Sequence, residues 1–321
     1  MDSNRIVPPP PVIRPEDEES ISVWGFKDTA FEMLDGDVVR MTGDRYELAG
    51  TELPEILGWV RDQIHPDIAA DNRNPSQYPP RIDAPRNNEA FIAAVRSLLQ
   101  ADQLNDDAEV RLRHGHGQTQ EEMYRIKYDE PGRIPDLVVY PASDEEVEKL
   151  VALAAAHDVS LIPYGGGTNV SNALHCPEDE QRMIVSVDMS RMNRILWIDP
   201  DNHMACIQAG AVGRLIVEQL AEYGFTIGHE PDSIEFSTMG GWIATHASGM
   251  KKNRYGNIED IVYSIEAVLP NGDLVELGSV EHLAGRVVRG VEDDHPRAVR
   301  DRGRELGRIE GELRKSQRHV A

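Results

Sequence analysis

The stretch "IPYGGGTNVS" (Ile162–Ser171) sets three consecutive glycines directly behind an apolar run. Glycine loses more backbone freedom on folding than any other residue, so something must require three in a row. Without Cβ atoms, the N–H groups of Gly165, Gly166 and Gly167 can converge on one point, and such a nest takes phosphate oxygens. Thr168 and Ser171 add hydroxyl donors. A backbone cradle suits this acidic chain, which places no lysine nearby. The pattern is neither a P-loop, because no GK[ST] follows, nor the spaced GxGxxG of a dinucleotide fold. Taken alone, the triplet serves an ordinary turn equally well.

A second stretch, "GHEPDSIEFSTMGGWIATHASGMKKNRYGNIED" (Gly228–Asp260), is dense in Gly, Ser, Thr, Asn and His. Gly240, Gly241, Gly249 and Gly256 give repeated backbone freedom, and the hydroxyls and amides bond without net charge. Lys251, Lys252 and Arg254 stand out in an acidic chain. Such a segment suits a ligand-binding loop, with an irregular surface loop as the plain alternative.

A third, "RHGHGQTQEEMYRIKYDEPGRIPD", alternates His114 and His116 with glycine. Two histidines at i, i+2 with no further ligand nearby do not make a metal site. With Arg113 they line a polar pocket or cap local structure. No metal is expected.

The elements that must hold these stretches follow from periodicity. "NEAFIAAVRSLLQA" (Asn88–Ala101) has apolar residues at helical spacing. "PDLVVYPA" (Pro135–Ala142) is a short β-branched run bounded by prolines, hence a strand. "SDEEVEKLVALAAAHD" opens on Ser143 as N-cap with acidic residues in its first turn, hence a helix. "VSLIPY" (Val159–Tyr164) is the next strand and ends at the glycines. "RMIVSVDM", "RILWIDP" and "HMACIQAG" are strand-like, "AVGRLIVEQLAEYG" is a helix closed by Gly224, and "SIEAVLPNGDLVEL" is two strands around an Asn-Gly turn.

The fold class is therefore α+β. Residues 1–20, Pro-rich and then acidic, read as a disordered leader. Residues 21–132 are expected to be a helical N-terminal region, and 133–278 a mixed α+β domain. Residues 279–321 form an Arg-rich tail with about ten of the 33 basic residues and no strand signal.

Composition narrows the function. The 321 residues are 40% hydrophobic and carry 56 acidic against 33 basic side chains. A net charge of −23 speaks against nucleic acid, whose phosphates need a positive face, and against attraction to an anionic membrane. Cys176 and Cys206 show no metal or disulfide spacing. No apolar run approaches the roughly 18–20 residues of a membrane span, and the N-terminus lacks a signal-peptide pattern. A cytoplasmic location is the expectation.

Several stretches together resemble one family. "PYGGGTNVS", "DMSRMNRILWID", the Gly228–Asp260 block and "RHGHGQTQEEMYRI…RIPDLVVYP" are similar to the alkyldihydroxyacetonephosphate synthases. These are flavoproteins of the vanillyl-alcohol oxidase / p-cresol methylhydroxylase superfamily. "WGFKDTAF" and "GDRYELAGTELPEI" look like that family's N-terminal helical region, so the resemblance covers roughly residues 21–278. It implies a PCMH-type FAD-binding domain of two α+β subdomains holding FAD non-covalently. The implied reaction exchanges the acyl group of acyl-dihydroxyacetone phosphate for a fatty alcohol in ether-lipid synthesis, with no net redox at the flavin. By resemblance, the cofactor-binding residues are Pro163, Tyr164, Gly165, Gly166, Gly167, Thr168 and Asn169 in a first loop. Asp232, Ser233, Ile234, Glu235, Phe236, Ser237 and Thr238 form a second loop, and Thr245, His246, Ala247 and Ser248 a third. The resemblance is compatible with a homodimer and with peripheral membrane contact. Alternatives are a FAD-linked 2-hydroxy-acid dehydrogenase or oxidase of the same superfamily, or a non-catalytic FAD-binding remnant.

The chain departs from the family in two places. His246 stands where the family has Arg, and a histidine offers no bidentate fork. After Gly278 the family continues with a "GSEGTLGVITE" block and a substrate cap bearing a catalytic Tyr, a phosphate-binding Arg and a His-rich loop. The residues after Gly278 match none of this and read as a shifted frame or a truncated paralogue. The domain is thus expected to be incomplete, its catalytic residues unassigned and its activity impaired.

Overall fold

The computed structural model describes residues 4–64, 74–278, 286–287 and 289–290. The chain divides into two compact units, Pro11–Asp188 and Met1–Pro10 with the chain from Met189 onward.

The Pro11–Asp188 unit opens with strands β1 (Phe31–Met33), β2 (Val39–Met41) and β3 (Glu52–Leu53), which make a small antiparallel sheet. Helix α1 (Ile56–Ile64) follows, then α2 (Glu89–Leu98), strand β4 (Leu104–Asn105), α3 (Ala108–Arg113) and α4 (Gln120–Tyr128). Strand β5 (Leu137–Val139), helix α5 (Asp144–Ala156), and strands β6 (Ser160–Tyr164) and β7 (Ile184–Asp188) complete it. The helices start where side chains satisfy their open N–H groups. Asn88 accepts from Phe91 N, Asp107 from Glu109 N and Val110 N, and Ser143 from Glu146 N. Thr119 and Glu122 form a reciprocal capping box for α4. The main sheet runs β4-β5-β7-β6, with β5, β7 and β6 parallel and β4 antiparallel at the edge. Leu137, Val138, Val139 and all five residues of β7 are buried, as expected of parallel strands covered on both faces. Register pairs Tyr164 with Asp188, so β6 and β7 end level. The glycine triplet leaves the sheet at that carboxyl edge, where open α/β sheets bind ligands.

In the second unit, β8 (Ile195–Asp199) and β9 (Met204–Ile207) pair antiparallel with a bulge between Ile195 and Trp197. Then come α6 (Gly213–Glu222), β10 (Phe225–Thr226), α7 (Met239–Ala244), α8 (Lys252–Tyr255) and α9 (Ile258–Ile261). Strands β11 (Ser264–Val268) and β12 (Leu274–Gly278) form the hairpin expected around Asn271-Gly272. Gly224, at φ +79°, ends α6 as the sequence suggested. The core gathers Ile198, Ala205, Ile207, Ile216, Leu220, Met239, Trp242 and Ile258. Among the described residues no helix is long and apolar enough to cross a membrane.

Three regions differ from the sequence reading. Residues 4–20, expected to be a disordered leader, hold defined contacts. Ile6 exchanges both backbone hydrogen bonds with Ile198, and Gln219 donates to Pro9 O. Arg45 ties down Asp17 and Glu16 O. A proline-rich segment makes few hydrogen bonds with itself, so its order depends on partners far along the chain. Residues 21–132, expected to be helical, contain β1 to β3. They also supply β4 to the sheet of the next region and pack α2 against α5. Finally, in the tail read as having no strand signal, two-residue strands β13 (Arg286–Val287) and β14 (Arg289–Gly290) pair with β9 and β10. The rest of that tail lies outside the described residues.

Candidate functional site

The glycine loop is built on two anchors. The first is Arg113, the last residue of α3. Its Nη2 donates to Gly166 O at 3.1 Å and to the carboxylate of Glu19. Its guanidinium carbon lies 5.6 Å from the centre of the Tyr164 ring. The second anchor is the turn after α3. Gln118 N donates to Asn169 O at 2.7 Å, and Asn169 Oδ1 accepts from Ala173 N at 2.9 Å. A Cβ on Gly117 would run into Asn169, so this glycine of "HGHG" serves close approach to the loop, while one on Gly115 would run into Ile134 and Pro135. Gly167 has φ +62°, and a Cβ there would strike Arg113 Nη1 and the Tyr164 hydroxyl. The position is open only to glycine.

This geometry suits an anion. Among the described residues, the N–H groups of Gly165, Gly166 and Gly167 donate to no protein acceptor. The loop thus keeps three adjacent backbone donors, and its Gly166 carbonyl is turned to the guanidinium. Residues of this kind hold a pyrophosphate by close backbone approach. Pro163 is exposed, Tyr164 buried and Thr168 half-buried. Burial pushes the Tyr164 phenol well above its usual pKa, which keeps it neutral.

Behind the loop sits a buried polar cluster. His114 Nε2 lies 2.8 Å from an Asp188 carboxylate oxygen, and its Nδ1 lies 2.7 Å from Val110 O. The His114 ring stacks tilted on Tyr164 with centroids 4.1 Å apart. His116 Nδ1 is 2.7 Å from Gly117 O, while its buried Nε2 has no partner. Burial pushes the His116 imidazole down to about 4. Burial also works against the Arg113 charge, but the surrounding acidic groups, the Glu19 and Asp188 carboxylates among them, outweigh it and hold its pKa above the usual range. Among the described residues no group of three His, Cys, Asp or Glu is placed to hold a metal ion.

The second unit places the other two loops. Residues 232–238 fold as consecutive turns over the start of α6. Ile234 O and Ser237 O accept from Arg214 N and Gly213 N at 2.8 and 2.9 Å. Phe236, Ser237 and Thr238 are buried, Ser233, Ile234 and Glu235 half-buried, and Asp232 exposed. Ser237 Oγ accepts from Trp242 Nε1 at 2.7 Å, and Thr238 Oγ1 caps α7 through Gly241 N at 3.3 Å. These two hydroxyls are therefore engaged within the protein. Thr245, His246 and Ser248 are exposed after α7, with His246 at φ +51°, while Ala247 packs on the core. Ala247 N donates to Trp242 O at 2.9 Å.

The sequence reading put Arg113 in a polar pocket without tying it to the glycines. It missed Glu19 and gave no role to His229. That side chain is fully buried beside the Trp242 ring, with centroids 4.8 Å apart and neither nitrogen bonded. Burial lowers its pKa, against a smaller opposing pull from Glu259. An unbonded buried imidazole is costly in a folded protein, and such groups collect at binding sites.

A family model described as "FAD binding domain" matches residues 135–278. An alkyldihydroxyacetonephosphate synthase of Caenorhabditis elegans is 43% identical over 251 residues, covering 78% of this chain and 41% of that protein. The synthase of Dictyostelium discoideum is 37% identical over 235 residues, 71% of this chain and 38% of its own length. A solved structure of alkyldihydroxyacetonephosphate synthase superposes with a TM-score of 0.78 at 32% identity, over 87% of this chain and 55% of that one. The chain spans about two fifths of the length of the curated relatives it matches. It is thus a homologue of the alkyldihydroxyacetonephosphate synthases that carries an FAD binding domain at residues 135–278.

Proposed function

We propose that this protein binds FAD and serves the exchange of the acyl chain of acyl-dihydroxyacetone phosphate for a fatty alcohol. One observation carries the reading beyond flavin binding in general. The similarity to the synthases extends well past the FAD domain and takes in both compact units. The glycine loop supplies the phosphate end of the FAD site through the backbone of Gly165–Gly167. Asp232–Thr238 and Thr245–Ser248 are further contacts in this reading. The engaged hydroxyls of Ser237 and Thr238 leave the backbone and the exposed side chains of those loops to meet the cofactor. When bound, FAD would supply nucleophilic chemistry toward the substrate carbon without net redox, and these residues would hold and orient it. A cytoplasmic location, peripheral contact with the membrane that holds the lipid substrates, and a homodimer belong to the same reading.

The test is the absorbance spectrum of the purified chain, followed by two assays. Flavin bands are expected, together with transfer of labelled hexadecanol into an ether product. Flavin bands without label transfer would reduce the protein to a non-catalytic FAD-binding remnant. Anaerobic bleaching by D-lactate or glycolate would move it to the 2-hydroxy-acid dehydrogenases. A colourless protein that takes up no added FAD would refute the proposal.

A further inference from the structure

We propose that Glu19 and Arg113 form an electrostatic trim on the glycine loop: Arg113 strengthens its hold on a phosphate-bearing ligand and Glu19 weakens it. The inference rests on the reading of this loop as the phosphate end of the FAD site. Arg113 is here a positioning residue that also carries charge.

The two halves of its guanidinium act differently. Nη2 holds the loop, because it donates to Gly166 O and to Glu19 at once. Nη1 is buried, has no acceptor, and lies against Gly167 where a Cβ would sit. A neutral amide could make the bond to Gly166 O equally well. Placing a full cation here, at a desolvation cost, adds something a mere clasp does not need. It sets positive charge directly behind three backbone donors that have no protein partner. Glu19 takes part of that charge back. Its side chain stays about one-third exposed, against 13% for Arg113, so it loses little hydration in doing so. Asp188 bears on Arg113 as well, from the side held by His114, and is the same in every variant below.

The two partners therefore have opposite signs, which a structural clasp would not give. Coulomb attraction across a partly buried site is worth on the order of a ten-fold change in affinity for one unit charge. Arg113→Gln should weaken FAD binding about ten-fold and leave riboflavin, which has no phosphate, within about two-fold. Glu19→Gln is isosteric and still accepts from Nη2. It should tighten FAD several-fold, again without change for riboflavin. Inorganic pyrophosphate, titrated directly by calorimetry into the full chain, should follow FAD in both variants.

The inference fails if Glu19→Gln leaves FAD affinity unchanged or lowers it. It also fails if FAD and riboflavin shift by equal factors in Arg113→Gln. Should Arg113→Gln not fold, the sign of the Glu19→Gln change decides alone. A wild-type chain that binds neither FAD nor pyrophosphate refutes the reading of the loop itself. A wild-type chain that binds both, with charge-insensitive variants, refutes only the trim.

Discussion

Replacing Ser237 by alanine separates a cofactor contact from a core contact. Ser237 lies in the second loop expected to bind FAD, yet its hydroxyl is the acceptor for the Trp242 indole N–H at 2.7 Å. Both residues are at most 5% exposed, so water cannot replace the lost acceptor. Leaving one buried donor unpaired costs about 1–3 kcal/mol. The backbone bonds of Ser237, to Ser233 O and from Gly213 N, do not involve the side chain and should survive. Ser237→Ala is therefore expected to lower unfolding stability by about 2 kcal/mol while changing FAD affinity less than about three-fold. Urea unfolding followed by circular dichroism measures the first, and flavin fluorescence titration the second. Trp242→Phe removes the donor and some volume, at about 1–3 kcal/mol. The double variant should then cost less than the sum of the singles, with a coupling of about 1 kcal/mol. An unchanged stability for Ser237→Ala, with FAD weakened ten-fold or more, would refute the reasoning and return Ser237 to the cofactor.

Three further outcomes follow from the geometry. Gly167→Ala should cost about 1–2 kcal/mol from its left-handed backbone alone. Collision of the new Cβ with Arg113 and Tyr164 should add a loss of FAD affinity, read by melting temperature and titration. Asp136 is fully buried and accepts from Arg133 at 2.5 and 2.8 Å, from Arg86 N at 2.7 Å and from Ile184 N at 2.8 Å. Asp136→Ala strands that guanidinium and two backbone donors, so a loss of about 3–5 kcal/mol is expected in denaturant titration. His116 titrates at about 4 when folded, against 6.5 for a free imidazole. The unfolded chain therefore takes up the proton first as pH falls. Stability present above pH 6.5 should decline by up to roughly 3 kcal/mol as pH drops from 6.5 toward 4. His116→Asn should flatten the stability–pH curve in that window.

The sequence was most legible where a signal is local. Ser143 before three acidic residues, Gly224 after an amphipathic run, and Asn-Gly between two alternating segments each declare an end or a turn within a few positions. All three stand in the structure as read. The glycine loop was half legible. Its place after an apolar strand was plain, but the parallel pairing that levels Tyr164 with Asp188 joins residues with no periodic relation. The "HGHG" stretch showed its glycines and not their purpose, because the atoms they must avoid lie well along the chain, at Ile134 and Pro135 for Gly115 and at Asn169 for Gly117.

Least legible was Glu19, which sits in a segment whose composition signals disorder. Composition measures how much apolar surface a segment could bury by itself, and this one buries little. Its order comes instead from isolated polar contacts: Glu19 to Arg113, Asp17 to Arg45 and Ile6 to Ile198. Each costs the segment its chain entropy and returns a bond to one distant partner. Such contacts leave no pattern in the segment's own sequence. Where one of those partners also holds the loop that keeps three free N–H donors, a contact of this kind can tune binding while leaving hardly a mark on composition.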